Sequence, residues 1–325
     1  MKNVSHTFAP HNHQGAPSIT KIHISDETFT RLFRQRHDAL ILINQLFQMI
    51  KSVQRHRAMS MGLLGGNSHF RDDFSTLQHQ LANRLQLFMA FASQMKEFLS
   101  NRDHENLRNA WLTISDDWQQ DSVMDNYELH CHLIEHLLTL VARLAKHLEE
   151  PMSALMATNV KPTLVEVIRT PNPNRLKQLE VLHFSTRLMP AVAEQIGRIR
   201  ALATYVSALG YCDTDYASKL RYVIQCTKVN NEKLRHQAKR MENILNKDSS
   251  LLNPLKSYEI KLTFLLNMIE QDVLKDDGAT NADSNRLYEI TTNIIDMYLH
   301  IVDEGMILLE RWHQNEIENW LTPTV

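Results

Sequence analysis

Ser52-Val-Gln-Arg-His-Arg57-Ala-Met-Ser-Met-Gly-Leu-Leu-Gly65-Gly66 sets a charge inside an apolar helical stripe. At about 100° per residue, Leu46, Ile50, Val53, Met61 and Leu64 share one helix face. Arg57 falls near its centre, and Arg55 lies well off it. A buried guanidinium with no anion beside it is very costly, so Arg57 requires a partner. That partner is either a carboxylate of the same chain, with Asp125, Glu128 and Glu194 as candidates, or a bound ligand.

The stretch has an echo. Arg55-His-Arg57-Ala-Met-Ser reappears as Arg198-Ile-Arg200-Ala-Leu-Ala, with Arg57 and Arg200 143 residues apart, and a glycine ends the helical pattern soon after each. A repeat at this distance bears on the whole fold. In the second copy Leu188, Val192, Ile196, Ile199, Ala203 and Val206 form the stripe, with Arg200 on its shoulder and Arg198 on the opposite side.

The rest of the chain reads as long helices. Eight glycines and nine prolines in 325 residues are too few for a turn-rich β protein, and 43% hydrophobic content supports a substantial core. A net charge of −2 gives no basic footprint for nucleic acid and no polybasic membrane patch. Three widely spaced cysteines, Cys131, Cys212 and Cys226, suit a reducing compartment better than a disulfide framework. No run has the length of a membrane span and the start lacks a signal-peptide core, so the expected location is cytoplasmic.

Residues 1–24 read as a loose arm, with His11 and His13 as solvated features. The first helix is expected from Ser25-Asp26-Glu27 to the glycines at 62–66, about 50 Å at 1.5 Å per residue. Asn67 or Ser68 then caps a second helix running to about Leu99. A third follows Asp103 through Trp111 and Trp118, and a fourth runs past the break at Asp121–Asp125 towards Pro151. Pro162, Pro171 and Pro173 mark 151–174 as a linker. A fifth helix runs from Arg175 to Gly210, with Pro190 kinking it or marking a register change. The sixth is capped by Asp213 or Thr214, the seventh runs from Pro254 to Leu274, and the eighth from Ser284 to Trp320. The expected architecture is all-α, with one antiparallel four-helix bundle over 25–150 and another over 175–325, related by the internal repeat.

These residues resemble the nitrate and nitrite sensing family, the NIT domain. Its first helix carries a motif close to Gln-x-Glu-Arg-Gly, and Gln54-Arg55-His56-Arg57-Ala58 matches the glutamine and arginine while substituting histidine and alanine. The second signature, roughly Pro-x-x-x-Glu-x-x-Gly-x-x-Arg-Ala, reads Pro190-Ala-Val-Ala-Glu194-Gln-Ile-Gly197-Arg-Ile-Arg200-Ala201. Tyr127-Glu-Leu-His-Cys-His-Leu-Ile134 is similar to the family's fourth helix. The resemblance covers about 25–320. It implies a bacterial-type sensor of two four-helix bundles that clamps nitrate or nitrite between Arg57 and Arg200, with Gln54 completing the site and Arg55, Gly197 and Glu194 in support. The ligand is the anion, with no cofactor. Such sensors often continue into an output module; this chain ends at Val325, so the expectation is signalling in trans, through a partner protein or a homodimer.

The chemistry suits that expectation, because a guanidinium offers a planar fork of donors to a planar oxyanion. Two other readings stand beside it. Glu128, His132 and His136 have the spacing of a bundle metal site, and a ligand-free helical scaffold would bind another protein. No phosphate-binding glycine loop, nucleophile triad or paired acid and base marks an enzyme.

Overall fold

The structure is a computed structural model that describes residues 26–95, 97–150, 175–245, 251–275 and 277–321. The expected arm at 1–24 and linker at 151–174 lie outside the described residues. Among the described residues the chain is all-helical, without a strand. No helix is long and apolar enough to cross a membrane.

Helix α1 (Asp26–Leu64) runs unbroken because no glycine or proline interrupts it before Gly62. Ala39, Ile43, Leu46, Ile50, Val53, Arg57 and Met61 form its buried seam at three- and four-residue steps. Gly66, in the left-handed region at φ 96°, ends it. The Asn67 side chain accepts from the His69 amide and opens a 3₁₀ turn (Ser68–Phe70), which leads into α2 (Arg71–Ala92). The second helix therefore stops short of the expected Leu99, because turns at Ser93–Met95 redirect the chain.

Helix α3 (Asn101–Ser115) opens on a capping box, in which the Ser100 hydroxyl and Asp103 carboxylate satisfy each other's backbone amides. Trp118 was expected inside this helix. It lies instead in a separate 3₁₀ turn (Trp118–Gln120), after Asp117 takes a left-handed conformation at φ 48°. Helix α4 (Val123–Glu149) begins at the Ser122 cap and buries Leu133, Leu137, Leu140, Val141 and Leu144.

Helix α5 (Arg175–His183) passes through a π turn (Phe184–Leu188) into α6 (Met189–Leu209). The expected register change thus lies just before Pro190, where the extra residue per turn accommodates the missing amide. Gly210, at φ 76°, caps α6. Helices α7 (Thr214–Leu245), α8 (Leu255–Asp272) and α9 (Ser284–Leu321) complete the chain, with Asp213 accepting from the Asp215 and Tyr216 amides to start α7.

Helix α6 is the centre of the molecule. It packs on α1, α7 and α9, while α1 also packs on α4 and α2. Close approach is possible because Gly65 carries no side chain: a Cβ there would sit 2.8 Å from the Tyr205 carbonyl. One continuous apolar core joins the helices, and on α6 every residue from Ile199 to Val206 is buried. Arg200 accordingly is not on a shoulder. It is 1% exposed.

A buried arginine cluster where α1 meets α6

Gln54 and Arg57 are one turn apart on α1 and face α6 together. Arg57 donates from Nη1 to Glu194 Oε1 at 2.7 Å and from Nη2 to Oε2 at 3.2 Å. Gln54 Nε2 donates to the same Oε2 at 2.8 Å, and Arg198, one turn further along α6, donates from Nε to Oε1 at 3.0 Å. Four donors thus saturate the Glu194 carboxylate. Arg198 also reaches Glu135 on α4, at 2.6 Å.

Gly197 makes room for this arrangement. A Cβ there would stand 3.0 Å from Arg57 Nη2 and 3.4 Å from Gln54 Nε2. Arg57 Nη1 further lies 3.1 Å from Cys131 Sγ, and the guanidinium stacks 5.6 Å from the centre of the Tyr127 ring. Burial works against both ionised partners. The Glu194 charge nonetheless holds the Arg57 pKa above its ordinary value, and Arg57, Arg198 and Gln54 hold the Glu194 carboxyl below its own. Burial raises the Cys131 thiol, which is therefore a packed neutral group and not an activated nucleophile.

Arg200 is placed differently. Its Nη1 donates to Thr292 Oγ1 on α9 at 2.8 Å, and its guanidinium sits 5.3 Å from the centre of the Tyr288 ring. Nε and Nη2 have no partner among the described residues although the side chain is buried. The nearby Asp296 carboxylate is held by Lys51 and Arg55, each at 2.9 Å, on the outer side of α1. Burial pushes Arg200 down to about 10, with the positive charges of Arg57 and Arg55 adding to it and Tyr288 and Asp296 opposing it. Of the two arginines, Arg57 bridges to a carboxylate and Arg200 bridges to none among the described residues.

Next to Arg57 lies a pair that sequence reasoning missed. His130 Nδ1 lies 2.6 Å from the Asn126 carbonyl oxygen and must donate to it, so its Nε2 accepts from His56 Nδ1 at 2.7 Å. His56 packs against Phe74 and Trp111, and its own Nε2 has no partner. Burial drives His130 down to about 3 and His56 well below its ordinary value, so both rings are neutral. Both histidines stand in motifs quoted above; only their spacing of 74 residues hid the contact.

The structure does not bring the metal candidates together. Glu128 is tied to Lys219, His132 is exposed and lies 3.9 Å from Glu135, and His136 is half-buried. Among the described residues no three His, Cys, Asp or Glu side chains converge on a common point. Cys212, in the α6–α7 turn, is 5% exposed. Arg55 is turned outward to Asp296, away from the Arg57–Glu194 pair.

Comparison with protein-family models, with curated proteins and with solved structures finds no match to this chain. The function must therefore be argued from the arginine cluster itself.

Proposed function

We propose that the chain is a nitrate- or nitrite-responsive regulatory protein that takes the anion at Arg200, with Arg57 and Gln54 bordering the site. The observation that carries this reading is the open edge of Arg200. Its Nε–H and Nη2–H lie side by side, buried and unpartnered, and such an edge matches two oxygens of a planar oxyanion.

Charge supports the same reading. Arg57 is paired with the buried carboxylate of Glu194 and Arg200 bridges to none among the described residues, while Arg198 is compensated by Glu135 and the two histidines are neutral. One positive charge is left in excess in a dry setting. A monoanion balances it, whereas a dianion overshoots and carries a larger desolvation cost. An internal carboxylate suffices to explain Arg57. It does not explain Arg200, and this favours the sensor over a purely structural scaffold.

In this reading α1–α4 and α5–α9, with α5, the π turn and α6 counted as one continuous helix, act as two four-helix bundles, and Arg57 and Arg200 are counterparts in a repeat. Their meeting line is the contact of α1 with α6. An anion bound there shifts the balance between arrangements of the two halves, and a partner protein receives the change. The resemblance to the nitrate and nitrite sensing family points the same way.

The test is thermal unfolding in sodium nitrate, nitrite, chloride and sulfate at matched ionic strength. A ligand at 100 times its dissociation constant adds about 2.7 kcal/mol to the folded state. A rise in midpoint with nitrate or nitrite, lost in Arg200→Ala, is the expected result. An equal response to all four salts would overturn the reading.

A further inference from the structure

We infer that Glu194 is a built-in competitor of the anion, a carboxylate that occupies the donor fork of Arg57 until the anion displaces it. This rests on the anion reading given above.

The shape of the site carries the inference. A carboxylate and nitrate are both planar and both present two oxygens along one edge. Arg57 grips Glu194 through that edge, with Nη1 and Nη2 each meeting one oxygen. On Arg200, Nη1 is taken by Thr292, and it is the Nε–Nη2 edge that holds nothing among the described residues. The structure is thus self-liganded at one arginine and open at the other. An anion entering at Arg200 can use Arg57 only by taking the place of Glu194 there.

Glu194 has somewhere to go. When Arg57 lets go, the carboxylate keeps Gln54 on one oxygen and Arg198 on the other. Arg198 lies on the same helix, 21% exposed, and already faces the carboxylate of Glu135 on α4. The displaced charge therefore remains paired and moves towards the solvent side of α6. What is lost is the ion pair between α1 and α6, so the exchange alters the contact between the two helices at which the halves meet.

Competition also sets the working range. The apparent affinity for the anion is the intrinsic affinity reduced by the fraction of molecules in which Arg57 is free. A sensor built this way responds at higher anion concentration than two bare arginines would, and chloride cannot mimic the two-point exchange.

The experiment is isothermal titration of the full chain with sodium nitrate and sodium nitrite in a constant chloride background. Glu194→Gln is expected to tighten binding tenfold or more, because the neutral amide competes poorly for the fork. Glu194→Asp, which keeps the charge but is one methylene shorter, is expected to tighten it about threefold and serves where the glutamine variant fails to fold. Glu128→Gln removes an equal charge on α4 away from the fork, and its affinity should stay within twofold of the parent. Unchanged or weaker binding in both Glu194 variants, with the parent still binding, would overturn the competition and leave the anion site standing. Equal tightening in Glu128→Gln would overturn it too, by reducing the effect to net charge. No binding by the parent or by any variant would overturn the anion reading itself.

Discussion

Arg57 on α1 and Glu194 on α6, 137 residues apart in the chain, form a two-point ion pair from which solvent is excluded. Such a pair contributes little net stability over an apolar substitute, because each charge has given up its hydration. Its effect is to fix one register of α1 against α6, since any slide of one helix along the other strands two charges.

Breaking the pair on one side should therefore cost more than removing it whole. Arg57→Met leaves Glu194 buried with Gln54 and Arg198 alone, and a loss of about 3–5 kcal/mol is expected. Arg57→Met combined with Glu194→Leu should recover most of that loss. Urea unfolding of the single and double variants measures the coupling, and additive losses would show that the two side chains do not act as a unit.

Much of this was legible in the sequence, and the failures are instructive. The scarcity of glycine and proline gave the helices, and the three-to-four spacing of Ile50, Val53 and Met61 placed Arg57 in the core, where it is. A single buried face would put Arg200 on the shoulder of its stripe. Helix α6 is enclosed by α1, α7 and α9, so Thr204, Tyr205 and Val206 are all buried together and no face is left for a shoulder. Glu194 was one of three carboxylates that could reach Arg57. Asp125 is spent on the Ser122 cap and Glu128 on Lys219, which are tertiary facts that no periodicity carries. The early stop of α2 has no glycine or proline to announce it.

Acid should weaken the fold well before the carboxylates titrate. His56 and His130 ionise near 6.5 in the unfolded chain, but burial holds His130 at about 3 and His56 well below 6.5 in the folded one. Below pH 6.5 the unfolded state takes up protons that the native state refuses, so stability falls with pH, by up to about 1.4 kcal/mol per pH unit for each ring. Glu194 and Asp103, whose folded values are depressed, Asp103 to about 2, add their loss only below about pH 4. Urea midpoints measured from pH 7.5 to 5 should drop steadily. His130→Gln should flatten that slope, and an unchanged slope would remove the pair from the account.

The π turn is packed against α9 closely enough to be tested by one methyl group. A Cβ on Gly305 would fall 2.0 Å from Ser185 Oγ and 3.1 Å from its Cβ. Alanine is favoured over glycine within a helix by about 1 kcal/mol, yet Gly305→Ala should destabilise by about 1–3 kcal/mol through overpacking. Ser185→Ala removes the clashing hydroxyl, which has no hydrogen-bond partner, and should rescue part of the loss in the double variant. Absence of rescue in thermal melts would mean that the helices part instead of the side chain yielding.

Arg200 allows stability and ligand response to be set against each other. Its guanidinium is buried with one hydrogen bond to Thr292, one aromatic contact with Tyr288 and no carboxylate in bridging distance among the described residues. Replacing a buried charge that lacks compensation with an apolar side chain of similar length removes a desolvation cost. Arg200→Met should therefore raise the urea midpoint, by about 1 kcal/mol or more in unfolding free energy, after the lost cation–π contact of roughly 0.5–2 kcal/mol is subtracted. The same variant should lose the nitrate- or nitrite-dependent rise in melting temperature. A residue kept only for packing would behave in the opposite way, destabilising on removal and leaving the salt response as it was. The two signs are read from one set of melts, with and without anion, so they decide directly whether the open edge of Arg200 is retained for a ligand.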